Sequence, residues 1–194
     1  DHVDHTHGGS VGHKFRRGIH LLTAVVPFLY FHFATSVAAM VRLTGPQLVL
    51  AIVFVIVCFE VMRISRGWDI FGQRHYERHR LSAFAWSTIA VGSVLLLAPN
   101  PVVASAIIIG CALVDPFLGE LRRMAQPFWL VFILGSVMVL LIWYLVGGLS
   151  VVSGWWLMLI ALMTVLAEKP CWKWIDDNAL MQWVPLAIVY LASH

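Results

Sequence analysis

Glu168, Asp176, Asp177 and Asn178 set three carboxylates and an amide within eleven residues, just before an apolar helix begins. An all-oxygen set of this kind suits Mg²⁺, a hard cation that completes its shell with water and substrate phosphates. One of these acids also reads as an N-cap for the helix, but a cap does not account for Glu168. A further carboxylate, Asp115, follows the apolar run Ile107-Ile108-Ile109-Gly110-Cys111-Ala112-Leu113-Val114 and precedes Pro116. Proline has no N–H to give the helix, so Pro116 is expected to free carbonyls upstream, which a bundle tolerates where they line a cavity. Arg122 and Arg123 lie one to two turns further on, and guanidinium groups are suited to a polyphosphate. The plainer reading of Asp115 is a helix-terminal charge.

At the other end of the chain, Arg16 and His20 are four residues apart and share a helix face, with Arg17 beside them. They read either as a phosphate cradle or as a basic flank that sets the direction of a membrane span. Glu60 and Arg63 are i,i+3 near the end of an apolar run, the spacing of an internal ion pair, and Arg63 is also within reach of a phosphate. Residues 64–80 are rich in Arg, His and aromatics and read as an interfacial stretch, with Arg74 and Glu77 its candidate contributors. Asp1, His2, Asp4, His5 and His7 form a metal-like pattern, but Gly8, Gly9, Ser10 and Gly12 follow, so residues 1–17 are expected to be a flexible tail.

These residues must be held by membrane-spanning helices. Of 194 residues, 60% are apolar and 12% charged, and mean hydropathy is +0.85. Soluble domains carry about 25% charged residues. A secreted disulfide scaffold, a disordered tail protein and a nucleic-acid binder are all excluded by that balance. The three cysteines, Cys58, Cys111 and Cys171, have no metal-binding spacing. Seven apolar stretches, near 18–40, 45–63, 81–98, 101–118, 127–149, 151–168 and 179–192, are candidate spans. With the N-terminus in the cytoplasm, the loops of the inner face hold twelve of the thirteen Lys and Arg residues, leaving only Arg42 outside. All acids after Asp4 fall on the same inner face. The expected architecture is an all-α polytopic bundle of seven transmembrane helices, with residues 18–194 one catalytic domain and its chemistry at the cytoplasmic ends.

In order along the chain, Arg16-Arg17-Gly18-Ile19-His20, Glu60-Val61-Met62-Arg63, Val114-Asp115-Pro116 and Glu168 with Asp177-Asn178 resemble the motifs of the dolichol kinase, phytol kinase and CTP-dependent diacylglycerol kinase family of integral membrane lipid kinases. The likeness covers nearly the whole chain, and Asp-Asp-Asn after a Glu is its most specific part. Two departures stand out. Val114 is found where the family has Gly, and the Lys-Ser-x-x-Gly segment that follows the middle motif there is missing. The resemblance implies phosphoryl transfer from a nucleoside triphosphate, CTP, to the hydroxyl of an isoprenoid or other lipid alcohol. It implies Mg²⁺ on Asp115, Glu168 and Asp177, and phosphate contacts from Arg16, Arg17, Arg63, Arg122, Arg123 and Asn178. Asp176 or His20 would orient the alcohol or take its proton. Membrane lipids are the other expected partner, at a prokaryotic plasma membrane or an ER membrane. A cytidylyltransferase acting on a lipid phosphate and a non-catalytic lipid-binding or transport protein remain alternatives. The lack of an internal repeat and the clustering of ionisable groups at one face weigh against transport.

Overall fold

The structure is a computed structural model and describes residues 6–169 and 174–193. Cys171 and Lys173 of the sequence reading, together with Asp1, His2, Asp4 and His5, lie outside the described residues. The described residues form eight α-helices and no strand: α1 (Gly9–Leu22), α2 (Val26–Met40), α3 (Gly45–Arg66), α4 (Ala83–Leu97), α5 (Pro101–Arg123), α6 (Phe128–Val146), α7 (Gly154–Ala167) and α8 (Asp177–Ala192).

The first two helices are one rod. A 3₁₀ turn at Thr23–Val25 joins them, and Pro27 is its cause. Its ring leaves Thr23 without an i→i−4 donor and crowds that carbonyl, so the backbone tightens there. The rod is 32 residues long and apolar enough to cross a membrane, as are α3, α5 and α6. These four helices fit an integral membrane protein. The other three expected spans are shorter, at 15, 14 and 16 residues for α4, α7 and α8. The apolar runs of the sequence extend past the helices because apolar residues also occupy the turns. Ser82 caps α4 by accepting from the Ala85 N–H at 3.2 Å. Asn100 caps α5 by accepting from Val103 at 2.9 Å, and Pro101 starts that helix without an N–H to satisfy.

The sequence boundary between a flexible tail and a domain beginning at residue 18 does not hold for the described residues. Residues 9–17 are part of α1. Ahead of them Thr6 pairs with Arg74, and the His7 N–H donates to the Gln73 carbonyl at 2.8 Å. The N-terminal segment is therefore stitched to the connector between α3 and α4.

α5 is the centre of the bundle. Over half of its apolar window is buried (56%), against 17% for the α1–α2 rod and for α3. Ile107, Ile108, Val114 and Leu118 of α5 meet Val139 and Trp143 of α6, Leu157 and Ile160 of α7, and Met181 of α8 in one core. The opposite faces of α2 and α3 expose Phe28, Phe33, Phe54 and Val55, a surface that suits hydrocarbon rather than water. Chain reversal after each helix brings the α3 C-terminus, the α4 N-terminus, the α5 C-terminus, the α7 C-terminus and the α8 N-terminus to one end of the molecule, where residues of all five border a single cavity.

Candidate functional site

The connector is fixed first, and Arg63 fixes it. Its side chain is fully buried and forms a two-point ion pair with Glu60, Nε to Oε1 at 3.0 Å and Nη2 to Oε2 at 2.9 Å. The same guanidinium donates to the carbonyls of Glu77 at 3.1 Å and Arg80 at 2.6 Å, and Glu60 Oε2 accepts the Ser82 N–H at 2.9 Å. A planar fork with every donor in use satisfies a buried charge and ties three chain segments together. Arg63 was a candidate for phosphate contact on sequence grounds. Its donors are committed within the protein, so the structure assigns it to scaffolding instead. Gly67 makes the fold-back possible. It ends α3 at φ 65°, a left-handed conformation that strains any residue with a Cβ.

Against this platform lie the acids. Asp115 on α5, Glu168 at the end of α7 and Asp177 in the first turn of α8 each offer a carboxylate oxygen within 4.8 Å of the other two. The sequence separates them by up to 62 residues (177 − 115). Packing of α7 and α5 against α8 brings them together. Glu168 is buried, and Asp115 and Asp177 are half-buried. Asp177 precedes the apolar part of α8. Burial pushes its carboxyl up to about 8, and the charges of Asp176 and Asp115 push the same way, while Arg74 on the connector opposes them. Carboxylates crowded like this hold a proton unless a cation replaces it. The donor set is all oxygen and its burial favours neutralisation, so these residues fit Mg²⁺.

Two of the sequence candidates near Asp177 have local duties. Asp176 is the N-cap of α8. Its Oδ1 accepts the Asn178 N–H at 3.1 Å and the Asn178 Nδ2 at 2.7 Å. That oxygen is thus engaged in capping, the plainer of the roles read for these acids, and Asp177 Oδ1 accepts the same Asn178 N–H at 2.9 Å. Asn178 is buried, with its side-chain nitrogen given to Asp176 and its carbonyl accepting from Gln182 Nε2 at 3.2 Å. It positions the helix start, with one of its two amide hydrogens given to Asp176.

The basic residues divide in the same way. Arg122 pairs with Glu168 and donates Nε to the Leu118 carbonyl at 3.2 Å. Arg123 is largely exposed and pairs with Glu120 through Nε at 3.1 Å. Arg17 reaches Glu120 at 3.1 Å and the Pro116 carbonyl at 2.8 Å. Arg16 pairs with Glu77 at 2.7 Å, which fastens α1 to the connector. His20 Nε2 lies 3.2 Å from the Cys111 carbonyl oxygen and 3.6 Å from Asp115 Oδ2. Helix α5 runs on through Pro116 without ending, and the carbonyls near it are met by side chains of α1.

Arg16, Arg17, His20, Asp115, Arg122, Arg123, Glu168, Asp176, Asp177 and Asn178 all border one cavity of about 1750 Å³. Sites for drug-sized ligands are about 300–1,000 Å³. Arg74 and Lys169 also border it. Sequence reasoning offered Arg74 only as a contributor from the interfacial stretch, without a defined role, and counted Lys169 only as a topological charge. Nothing in the spacing marks either one, because each arrives through a turn of the connecting chain. Away from the charges the cavity is lined by Val26, Val49, Val53, Val91 and Leu95. One end is thus built for anions and cations and the other for hydrocarbon.

Compared with family models, curated proteins and solved structures, the chain matches none significantly.

Proposed function

We propose that this protein is an integral membrane phosphotransferase that moves the γ-phosphoryl group of a nucleoside triphosphate, CTP, to the hydroxyl of an isoprenoid or other lipid alcohol at the cytoplasmic face of its membrane. The observation that carries the reading is the meeting of Asp115, Glu168 and Asp177, from three helices, at the charged end of a cavity whose other end is apolar. The resemblance to the polyprenol and diacylglycerol kinases supports the choice of reaction and nucleotide.

In this reading seven spans cross the bilayer with the N-terminus inside, as the distribution of Lys and Arg favours. Helices of 14–16 residues are roughly 21–24 Å long, less than the ~30 Å hydrocarbon core. Their charged ends would lie several ångströms beneath the inner boundary. A lipid hydroxyl reaches that depth without leaving the membrane.

Phosphoryl transfer needs positioning and charge neutralisation more than covalent participation by the protein. Mg²⁺ held by Asp115, Glu168 and Asp177 would supply neutralisation of the triphosphate oxygens. Arg122 and Arg123 on α5 and Arg17 on α1 flank the acids and bind the triphosphate chain. Arg122 exchanges its pairing with Glu168 for phosphate. His20 is the proton acceptor. With Nε2–H donating to the Cys111 carbonyl oxygen, Nδ1 holds the lone pair that takes the alcohol's proton, and Asp115 stabilises the resulting imidazolium.

The test is incubation of the protein in vesicles with a long-chain polyprenol, and separately with its monophosphate, and CTP labelled either at the γ or at the α phosphorus. Label from the γ position alone in the lipid product supports a kinase. Label from the α position in the lipid identifies a cytidylyltransferase, and no lipid product with any nucleotide removes the catalytic reading.

A further inference from the structure

The apolar end of the cavity has a definite shape. Near the outer end of the bundle α2 and α3 are held together, with Gly45 against Tyr30 and Ala34. Further in, residues of the α1–α2 rod from Val26 back to His13 and of α3 from Val49 to Ile64 face the same open space. The two rods therefore part towards the inner end and leave a groove. The wall on the other side is closed by α4. Gly92 sits so close to α3 that an added Cβ would meet Val53 Cγ2 at 2.7 Å, so this glycine permits an approach that no other residue allows.

We infer that this groove holds one hydrocarbon chain of the substrate, over a length of one leaflet, with the chain's hydroxyl at the Asp115–Asp177 end. The inference rests on the lipid-alcohol reading above and adds where the tail goes and how much of it the protein senses. The groove is continuous with the charged site, so a single molecule fills both. Its length follows from helix geometry. Cavity-lining residues run from Glu60 to Val49 on α3 and from Ala83 to Leu95 on α4. At 1.5 Å per residue these are about 16 and 18 Å. The hydrocarbon core is about 30 Å thick, so the groove takes a chain to roughly the bilayer midplane. Any longer portion leaves the groove and lies in lipid.

The physics of selection follows. A tail already in the bilayer gains nothing from hydrophobic transfer when it enters the protein. Packing alone discriminates, so the protein responds to chain length and branching within the groove and is indifferent beyond it.

Photolabelling of the full chain in phosphatidylcholine vesicles tests this. The probe is a long-chain primary alcohol with a diazirine near the middle of its chain. Adducts should fall on Val53, Val91 and Leu95, and excess unlabelled alcohol should remove them. Val91→Trp, which fills the groove, should abolish the competable adducts, whereas Phe54→Trp on the lipid-facing side of α3 should leave them unchanged. Adducts confined to Phe54, Val55 and other outward residues, insensitive to competitor, would overturn the inference. So would labelling in the groove that only excess phosphatidylcholine displaces, since the occupant would then be bulk lipid. The wild-type adduct pattern carries the test even if Val91→Trp fails to fold. Competable groove labelling without phosphoryl transfer upholds the groove and rejects the kinase, while phosphoryl transfer with no groove labelling does the reverse.

Discussion

Binding of Mg²⁺ should be tied to pH through Asp177. Burial, followed by the charges of Asp176 and Asp115, raises this carboxyl from an ordinary 3.8 to about 8. Near neutral pH it then holds its proton in most molecules. A divalent cation must displace that proton. Its apparent affinity should therefore rise steeply with pH up to about 8, then level off. Stability without metal moves the other way. The folded carboxyl holds its proton more tightly than the unfolded one, so the contribution is complete below about pH 4 and is lost as pH rises through about 8. Titration calorimetry on the full chain in nanodiscs, in two buffers of different ionisation enthalpy, reads the affinity and the proton release. About one proton should be released per ion at pH 7 and far less at pH 9. Asp177→Asn keeps the size and removes the titration, so the slope should flatten and affinity at pH 8 should fall at least 10–100-fold. Equal Mg²⁺ affinity at pH 6 and pH 8 with no proton release would refute the reasoning.

Replacing Arg122 and Arg123 together by Ala removes the arginine paired with buried Glu168, so it should cost about 1–3 kcal/mol without metal and leave the fold intact, the two side chains being nearly half and about three-quarters exposed (47% and 74%). Nucleotide affinity should nonetheless drop at least about tenfold, while Mg²⁺ alone binds no worse, since Glu168 loses a competing partner. Unchanged nucleotide binding would leave the two arginines with a topological role only. Arg63→Met should cost about 3–5 kcal/mol by stranding Glu60 and the connector carbonyls, read as a large fall in melting temperature; a loss under about 1 kcal/mol would contradict the scaffold role. Cysteines placed singly near Pro101 and Gly148 in a cysteine-free background should react with an impermeant reagent from outside, and those near Arg74 and Arg122 should not. Labelling near Arg122 from outside would invert the orientation.

How far the sequence foretold this arrangement depends on the range of each cause. Asp115, Glu168 and Asp177 were legible as a set because helix counting sends all three to one end, and the structure brings their oxygens together. The division of labour between Asp176 and Asp177 was not legible. Both precede the same helix, and only the backbone at Asp176, extended at φ −75° and ψ 147°, decides which one caps. The i,i+3 spacing exposed the Glu60–Arg63 pair. It gave no hint of the carbonyls from the connector that use the remaining donors, since these depend on a fold-back at Gly67. Helix ends were overrun for a related reason. Ala98, Leu149 and Val151 are as apolar as the helices beside them, so hydropathy continues where hydrogen bonding stops. Gly8 and Gly9 read as a loose tail, yet their neighbours pair with residues 72–74, a contact that local composition does not encode.

On the proposed function, acids from three helices and a lipid-sized groove make one catalytic site. The most direct measurement is transfer of γ-labelled phosphate from CTP to a polyprenol in vesicles, with and without Mg²⁺, for the parent chain, Asp177→Asn and Asp176→Asn side by side. Labelled polyprenyl phosphate that requires Mg²⁺, disappears in Asp177→Asn and persists in Asp176→Asn is the expected result. Full activity in Asp177→Asn, or transfer that proceeds equally in the presence of a chelator, would contradict it.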